Sequence, residues 1–207
     1  MRAVVVSVLA AGALLFAASS RAAPADDAAA VVERLYAALV TVATTEPEPT
    51  LAQRVDELTP VIESTHNLAT MARITVRRFW RDWTEAERER FVATFSRLSV
   101  TTYASRFASV GPDTFAVLGG ETVSENRAKV QAVIHRRDAD DVPMDYLLQL
   151  DDSGWRIVNV DADGVSELSL MGSKYFEILD SGDFDSLIAE IEGEIAELVG
   201  SDSVQER

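Results

Sequence analysis

The hydrophobic period of this chain changes twice, and that restricts its fold more than any other property. Over residues 26–107 apolar side chains recur every three or four positions, with Val31, Leu35, Leu39 and Val42 on one face and Leu51, Val55, Leu58 and Ile62 on another. That spacing is the mark of an amphipathic helix. Glu46-Pro47-Glu48-Pro49 divides the two helices, because proline lacks an N–H and disfavours helical backbone before it. Residues 68–83 read as short helices. Thr84 and Glu87 then have the spacing of a capping box, in which side chains satisfy the open amides of a first helical turn. This box opens a long helix with Phe91, Phe95, Leu98 and Thr102 along one stripe, flanked by Val92, Ser99 and Tyr103.

After Gly111-Pro112 the period becomes two. Val130, Ala132 and Ile134 alternate with Lys129, Gln131 and His135, and Met144, Tyr146 and Leu148 alternate with Asp145, Leu147 and Gln149. Turns rich in Asp, Ser, Asn and Gly at 124–127, 138–141 and 151–154 separate four runs. Short adjacent strands joined by tight turns predict an antiparallel meander. Gly119-Gly120, inside the first run, reads as a bulge or bend. From Val165 the helical period returns, with Gly182 as a stop between two further helices. The expected class is therefore α+β: N-terminal helices, a curved four-stranded antiparallel sheet, then C-terminal helices. Residues 23–199 form one domain in this reading, and 200–207 a flexible tail.

The first 22 residues read as an export signal. Met1-Arg2 supplies a positive start, Ala3 to Ala18 is almost wholly apolar, and Ser20-Arg21-Ala22 offers a cleavage site before Ala23. This is the build of a secretory signal peptide, and the apolar run falls short of the ~20 residues that span a bilayer. The mature protein is expected to be exported and soluble. Losing Arg2 and Arg21 leaves 17 basic residues against 34 acidic ones, changing the net charge from −15 to −17. So acidic a chain is a poor match for nucleic acid. The absence of cysteine removes disulfides, thiolate metal sites and cysteine nucleophiles from consideration.

Few residues suggest chemistry. There is no phosphate-binding glycine loop, and neither histidine has a metal-ligand partner at local spacing. Asp138, Asp140 and Asp141 lack the twelve-residue ligand pattern of a calcium loop. No metal, no cofactor and no enzymatic activity are expected. The alternative is a small α+β enzyme in which His135 works as acid or base beside Asp161 or Asp163. Charge is unevenly distributed. Residues 73–106 hold eight arginines against four acids, and residues 180–207 hold nine acids and one arginine. Arg73, Arg77 and Arg81 are spaced i, i+4, i+8, as along one helix face. That stripe is either a solvated face paired with Asp82, Glu85 and Glu89, or a docking face for an acidic partner or lipid headgroups.

Three segments resemble one family. The run from Leu58 to Arg73 (LTPVIESTHNLATMAR) is similar to the N-terminal signature of the MlaC (toluene-tolerance) family of periplasmic phospholipid-binding proteins. Phe91 to Tyr103 resembles that family's long helix with its Thr-Tyr ending. Trp155 to Val160, followed by Asp163-Gly164-Val165-Ser166 and the run from Tyr175 to Leu179, resembles its closing strand and helix. The family commonly has Phe-Asp in place of His66-Asn67, Gly in place of Arg77, and Tyr-Arg in place of Met171-Gly172.

The resemblance implies a sheet and helices enclosing a pocket for lipid tails. It also implies a monomeric carrier between an outer-membrane lipoprotein–porin complex and an inner-membrane ABC transporter complex. The cargo would be a phospholipid or, as in the hopanoid-associated branch of the superfamily, a hopanoid. The inward sheet positions Val130, Ile134, Met144, Tyr146, Leu148, Trp155 and Ile157 are the candidate pocket wall on one side. Met71, Phe79, Phe91, Phe95 and Leu98 are the candidates on the helical side. The same side chains would equally serve a solid core. Arg73, Arg77 and Arg81 are the candidate docking residues.

Overall fold

The computed structural model describes residues 24–137 and 139–205. The expected signal peptide therefore lies outside the described residues, as does Asp138 of the acidic turn. Six helices and five strands follow in the order α1 (Pro24–Ala43), α2 (Leu51–Thr65), α3 (Leu68–Val76), α4 (Glu85–Arg106), β1 (Phe115–Ser124), β2 (Arg127–Ile134), β3 (Val142–Asp151), β4 (Gly154–Ala162), β5 (Val165–Ser166), α5 (Glu167–Ser181) and α6 (Phe184–Gln205). Single 3-10 turns at Phe79–Arg81 and Pro112–Thr114 link α3 to α4 and α4 to β1.

The expected helix starts are built as the sequence implies. The Thr84 hydroxyl accepts the Glu87 amide at 3.3 Å, and the Glu87 carboxylate accepts the Thr84 amide at 2.7 Å. A second box, between Thr50 and Gln53, opens α2 after the proline break. No described helix is long and apolar enough to cross a membrane.

The strands form one antiparallel meander in chain order, β1 to β5. The sheet has five strands rather than four. Val165 and Ser166 begin no helix; they pair with Ala162 and Asp161. Asp163 and Gly164, both with positive φ, make the tight reversal that brings them back, and Ser166 then caps α5 through the Ser169 amide. The register of β1 against β2 shifts between Val117 and Gly119, so the glycine pair does mark a bulge. Gly120 has a further role. A Cβ there would lie 2.6 Å from the Ala25 carbonyl oxygen, so only glycine lets the start of α1 cross the strand this closely.

The core lies between the sheet and the helices. Ala128, Val130, Met144, Tyr146, Leu148 and Ile157 are buried from the sheet side, and Phe91, Phe95 and Leu98 from α4. Because α2, α3 and α6 all pack on α4, its buried arc is broader than one stripe and includes Thr94, Val100 and Thr101. The joint between α2 and α3 is pinned to the sheet: His66 bridges to Ile157 and the Asn67 amide donates to the Ile157 carbonyl at 2.9 Å.

The arginine stripe is not one helix face. Helix α3 ends at Val76, and Arg77 caps it with φ 36° and ψ −100°, a conformation that side-chain-bearing residues rarely adopt. Arg73 stays on α3, while Arg81 ends the 3-10 turn beyond. Strain of this kind costs ~1–3 kcal/mol, against ~0.5–1 kcal/mol of extra chain entropy that glycine loses on folding. Arg77→Gly should therefore stabilise the protein by about 1 kcal/mol, read as a rise of ~2–4 °C in melting temperature. An unchanged or lower melting temperature would contradict the strain.

Candidate functional site

A cavity of about 230 Å³ lies between α3, α4, α5 and the concave side of β3 and β4. Helix α3 contributes Leu68 and Met71, and α4 contributes Phe95, Leu98, Ser99, Thr102 and Tyr103. The sheet gives Met144, Tyr146 and Val160, while α5 gives Leu168, Leu170 and Met171. Each element places these residues by its own period: Phe95, Leu98 and Thr102 follow helical spacing, and Met144 and Tyr146 are alternate positions of one strand. Leu170 is 61% exposed and marks where the apolar wall meets solvent. Charged groups stand at the same edge. Arg106 pairs with Glu167 at 2.8 Å, and Glu194 is held by Lys174 at 3.0 Å.

Beneath the apolar wall lie two small polar clusters. The His66 ring is 1% exposed, with Nδ1 2.9 Å from the Thr65 hydroxyl and Nε2 3.1 Å from the Tyr103 hydroxyl. Burial pushes the His66 pKa down to about 4, so the ring is neutral at pH 7. The Tyr36 hydroxyl, from α1, meets the Tyr146 hydroxyl, from β3, at 2.9 Å. Burial raises the pKa of Tyr36 to about 12 and pushes Tyr103 and Tyr146 well above the ordinary phenol value. All three phenols are therefore neutral hydrogen-bonding groups and not bases.

Of the twelve candidate wall residues, Met71, Phe95, Leu98, Met144 and Tyr146 line this cavity together. Phe91, Val130, Leu148, Trp155 and Ile157 are buried in the packed core away from it, and Ile134 is half-buried at the far end of β2. Phe79 borders a different opening, a groove of about 600 Å³ between the end of α3 and α5. There the Arg78 guanidinium lies 4.8 Å from the Phe79 ring centre and 4.5 Å from that of Phe176. The groove and the cavity share Leu168 as a wall.

Several lining residues escape the pattern reading. Tyr103 and Ser99 flank the α4 stripe, and the α5 residues come from a helix that the alternation of the sheet could not place. The departure His66-Asn67 was the signal available for the histidine.

His135 is exposed, and its partner is Asp141 at 2.9 Å, not Asp161 or Asp163. Asp161 instead accepts from Asn159 at 2.6 Å. Both acids lie toward the same end of the sheet as His135 but across β3: Asp161 pairs with Asp145 and the Asp163 amide donates to the Pro143 carbonyl, while His135 follows β2 on the other side of that strand. Among the described residues no group of three or more His, Asp or Glu side chains could hold a metal.

Comparison with known proteins places this architecture. No curated protein matches the chain significantly. Among solved structures, the fold is similar to the phospholipid-binding protein of Ralstonia solanacearum, determined in complex with a phospholipid. The two share 19% identity at a TM-score of 0.73, covering 83% of this chain and 98% of that one. Residues 31–193 match the model described as MlaC protein. With most of its length matched, and with the helix–meander–helix order seen here, this chain belongs to the MlaC family.

Proposed function

We propose that this protein is a periplasmic carrier that takes the tails of a phospholipid into the cavity beneath α3, α4 and α5. The observation that carries the reading is an apolar cavity with a charged edge, sited between a curved sheet and helices. An amphipathic lipid needs both parts: a dry wall for methylenes and a wet rim for its headgroup. About 30 methylenes at ~0.8 kcal/mol each represent ~24 kcal/mol of gross transfer energy, which a carrier must match for lipid to leave a bilayer. A volume of about 230 Å³ is below the ~300–1,000 Å³ of typical ligand pockets. Loading two chains therefore requires the walls to part. Leu168, which lines both the cavity and the groove, is the side chain whose movement would join them.

The chain has no nucleotide-binding motif. Direction of transfer would then come from partners that bind the loaded and empty forms unequally. We assign those partners as an inner-membrane ABC transporter complex and an outer-membrane lipoprotein–porin complex, supported by family membership. Arg73, Arg77 and Arg81, exposed around the end of α3, are the proposed docking residues. The strong negative charge would keep the carrier off anionic leaflets between encounters.

Solvent extraction of the purified protein followed by mass spectrometry tests the reading. Near-stoichiometric phospholipid is expected, and a protein that stays empty when offered phospholipid would overturn it. Ser99→Trp provides the matched control. Ser99 lines the cavity from a half-buried helical position, so an indole there takes the room of cargo. Displacing three methylenes removes ~2.4 kcal/mol, about fiftyfold in affinity. Occupancy should collapse while the melting temperature stays near wild type.

A further inference from the structure

The floor of the cavity presents hydrogen-bonding groups that a plain hydrocarbon chain cannot satisfy. The Thr65 hydroxyl donates to the Val61 carbonyl at 2.7 Å, so toward His66 Nδ1 it can only accept. The neutral imidazole therefore carries its proton on Nδ1, and bare Nε2 accepts from the Tyr103 hydroxyl. The single hydrogen of Tyr103 is thus committed, and its oxygen keeps free lone pairs. The second cluster leaves the opposite capacity. Two hydroxyls, Tyr36 and Tyr146, carry two hydrogens but share one bond at 2.9 Å. With Tyr36 donating, the Tyr146 O–H has no acceptor among the described residues.

Tyr103 and Tyr146 both line the cavity, whereas Tyr36 is not among its lining residues and reaches it only through the Tyr146 hydroxyl. A side chain with acceptor capacity to spare and one with a donor to spare therefore line one apolar space, at depth: Tyr146 is 2% exposed, whereas the side chain of Arg106 at the edge is 61% exposed.

We infer that the preferred cargo is a lipid carrying a hydroxyl group within its inserted apolar part, accepting from Tyr146 and donating to Tyr103. This rests on the carrier reading above and names the class of cargo. A hydroxyl both donates and accepts, which is what the two phenols require. An ester carbonyl only accepts, and it sits next to a headgroup that belongs at the charged edge. An unsubstituted chain would remove water from both phenols and give no bond in return, leaving buried polar groups unpaired.

The experiment compares phosphatidylethanolamines with octadecanoyl chains against ones with hydroxyoctadecanoyl chains, the hydroxyl placed in turn at several positions. Competition for the purified full chain is read by native mass spectrometry. At one or more positions the hydroxylated lipid should win by about tenfold. Tyr146→Phe should abolish that preference, read as the ratio of hydroxylated to plain lipid bound by the variant. Tyr36→Phe should keep it, because the hydroxyl it removes does not face the cargo.

Equal binding at every position, or a preference that survives in Tyr146→Phe, overturns the inference and leaves the carrier reading standing. Binding of neither lipid overturns both. The wild-type comparison alone decides the matter if Tyr146→Phe does not fold.

Discussion

Lowering the pH from 7 to 4 should cost the fold about 3 kcal/mol through His66 alone. The ring is buried and neutral, with its pKa depressed from 6.5 to about 4. Between those values the unfolded chain binds a proton at this site and the folded chain does not. Stability therefore rises with pH across the window and is lost as pH falls through 6.5 toward 4, at ~1.4 kcal/mol per pH unit. Below about 4 both states are protonated and the contribution is flat. Urea melts from pH 7.5 to 3.5 on wild type and His66→Phe measure it. The phenylalanine keeps an aromatic ring in the site and removes the titration, so the difference between the two curves should slope only inside the window. A flat difference would mean that His66 titrates normally and is not sealed beneath Tyr103.

Phe91→Ala should lower stability by ~3–5 kcal/mol. This side chain is fully buried, and its ring centre lies 5.1 Å from that of Trp83, 6.2 Å from Phe95 and 6.1 Å from Tyr175. It joins the segment before α4 to α4 and α5, and Trp83 extends the cluster to Phe184 of α6 at 4.9 Å. Truncation opens a void where several elements meet, and none of them can close it alone. The melting temperature should fall by ~10 °C. Phe176→Ala is the comparison, because that ring is 43% exposed under the Arg78 guanidinium and should cost less than ~1 kcal/mol. If the two variants lose equal stability, the core is not centred on α4. Phe91 is thus a packing residue; Phe95, one turn further along the same face, is the one that borders the cavity.

The uneven charge shows how local and tertiary information differ. In the sequence, a basic block and an acidic C-terminus look like a docking code for other molecules. In the fold, α6 lies along α4, and Arg90 meets Asp185 at 2.7 Å while Arg97 meets Glu192 at 2.8 Å. Arg78 meets Asp180 at 2.9 Å, and Arg106 meets Glu167 at 2.8 Å. Much of the asymmetry is therefore the chain pairing with itself. The pairs are exposed and worth ~0–1 kcal/mol each. None of these four arginines pairs with Asp82, Glu85 or Glu89, the near neighbours in sequence; their acids come from 61 to 102 residues away.

Helices, strand order, the Thr84 cap and the Gly119-Gly120 bulge could all be read from the chain, because period, capping and backbone freedom act over a few residues. The end of α3 could not. Spacing alone carries the arginine stripe through residue 81, whereas the backbone reverses at Arg77 to bring Phe79 against Phe176. The two-residue β5 was likewise too short to leave a periodic signal.

The same division holds for the site. Alternation identified which faces are apolar, and five of the twelve chosen residues do border one cavity. It could not separate wall from core, since a buried side chain is equally apolar whether it touches a neighbour or a void. That distinction arises only when α3, α4, α5 and the sheet are brought together. So does the pairing of His66 with Tyr103, 37 residues apart, and of Tyr36 with Tyr146, 110 apart. Local chemistry made the elements; long-range packing decided where space and hydrogen bonds were left over, because both depend on how separate surfaces meet.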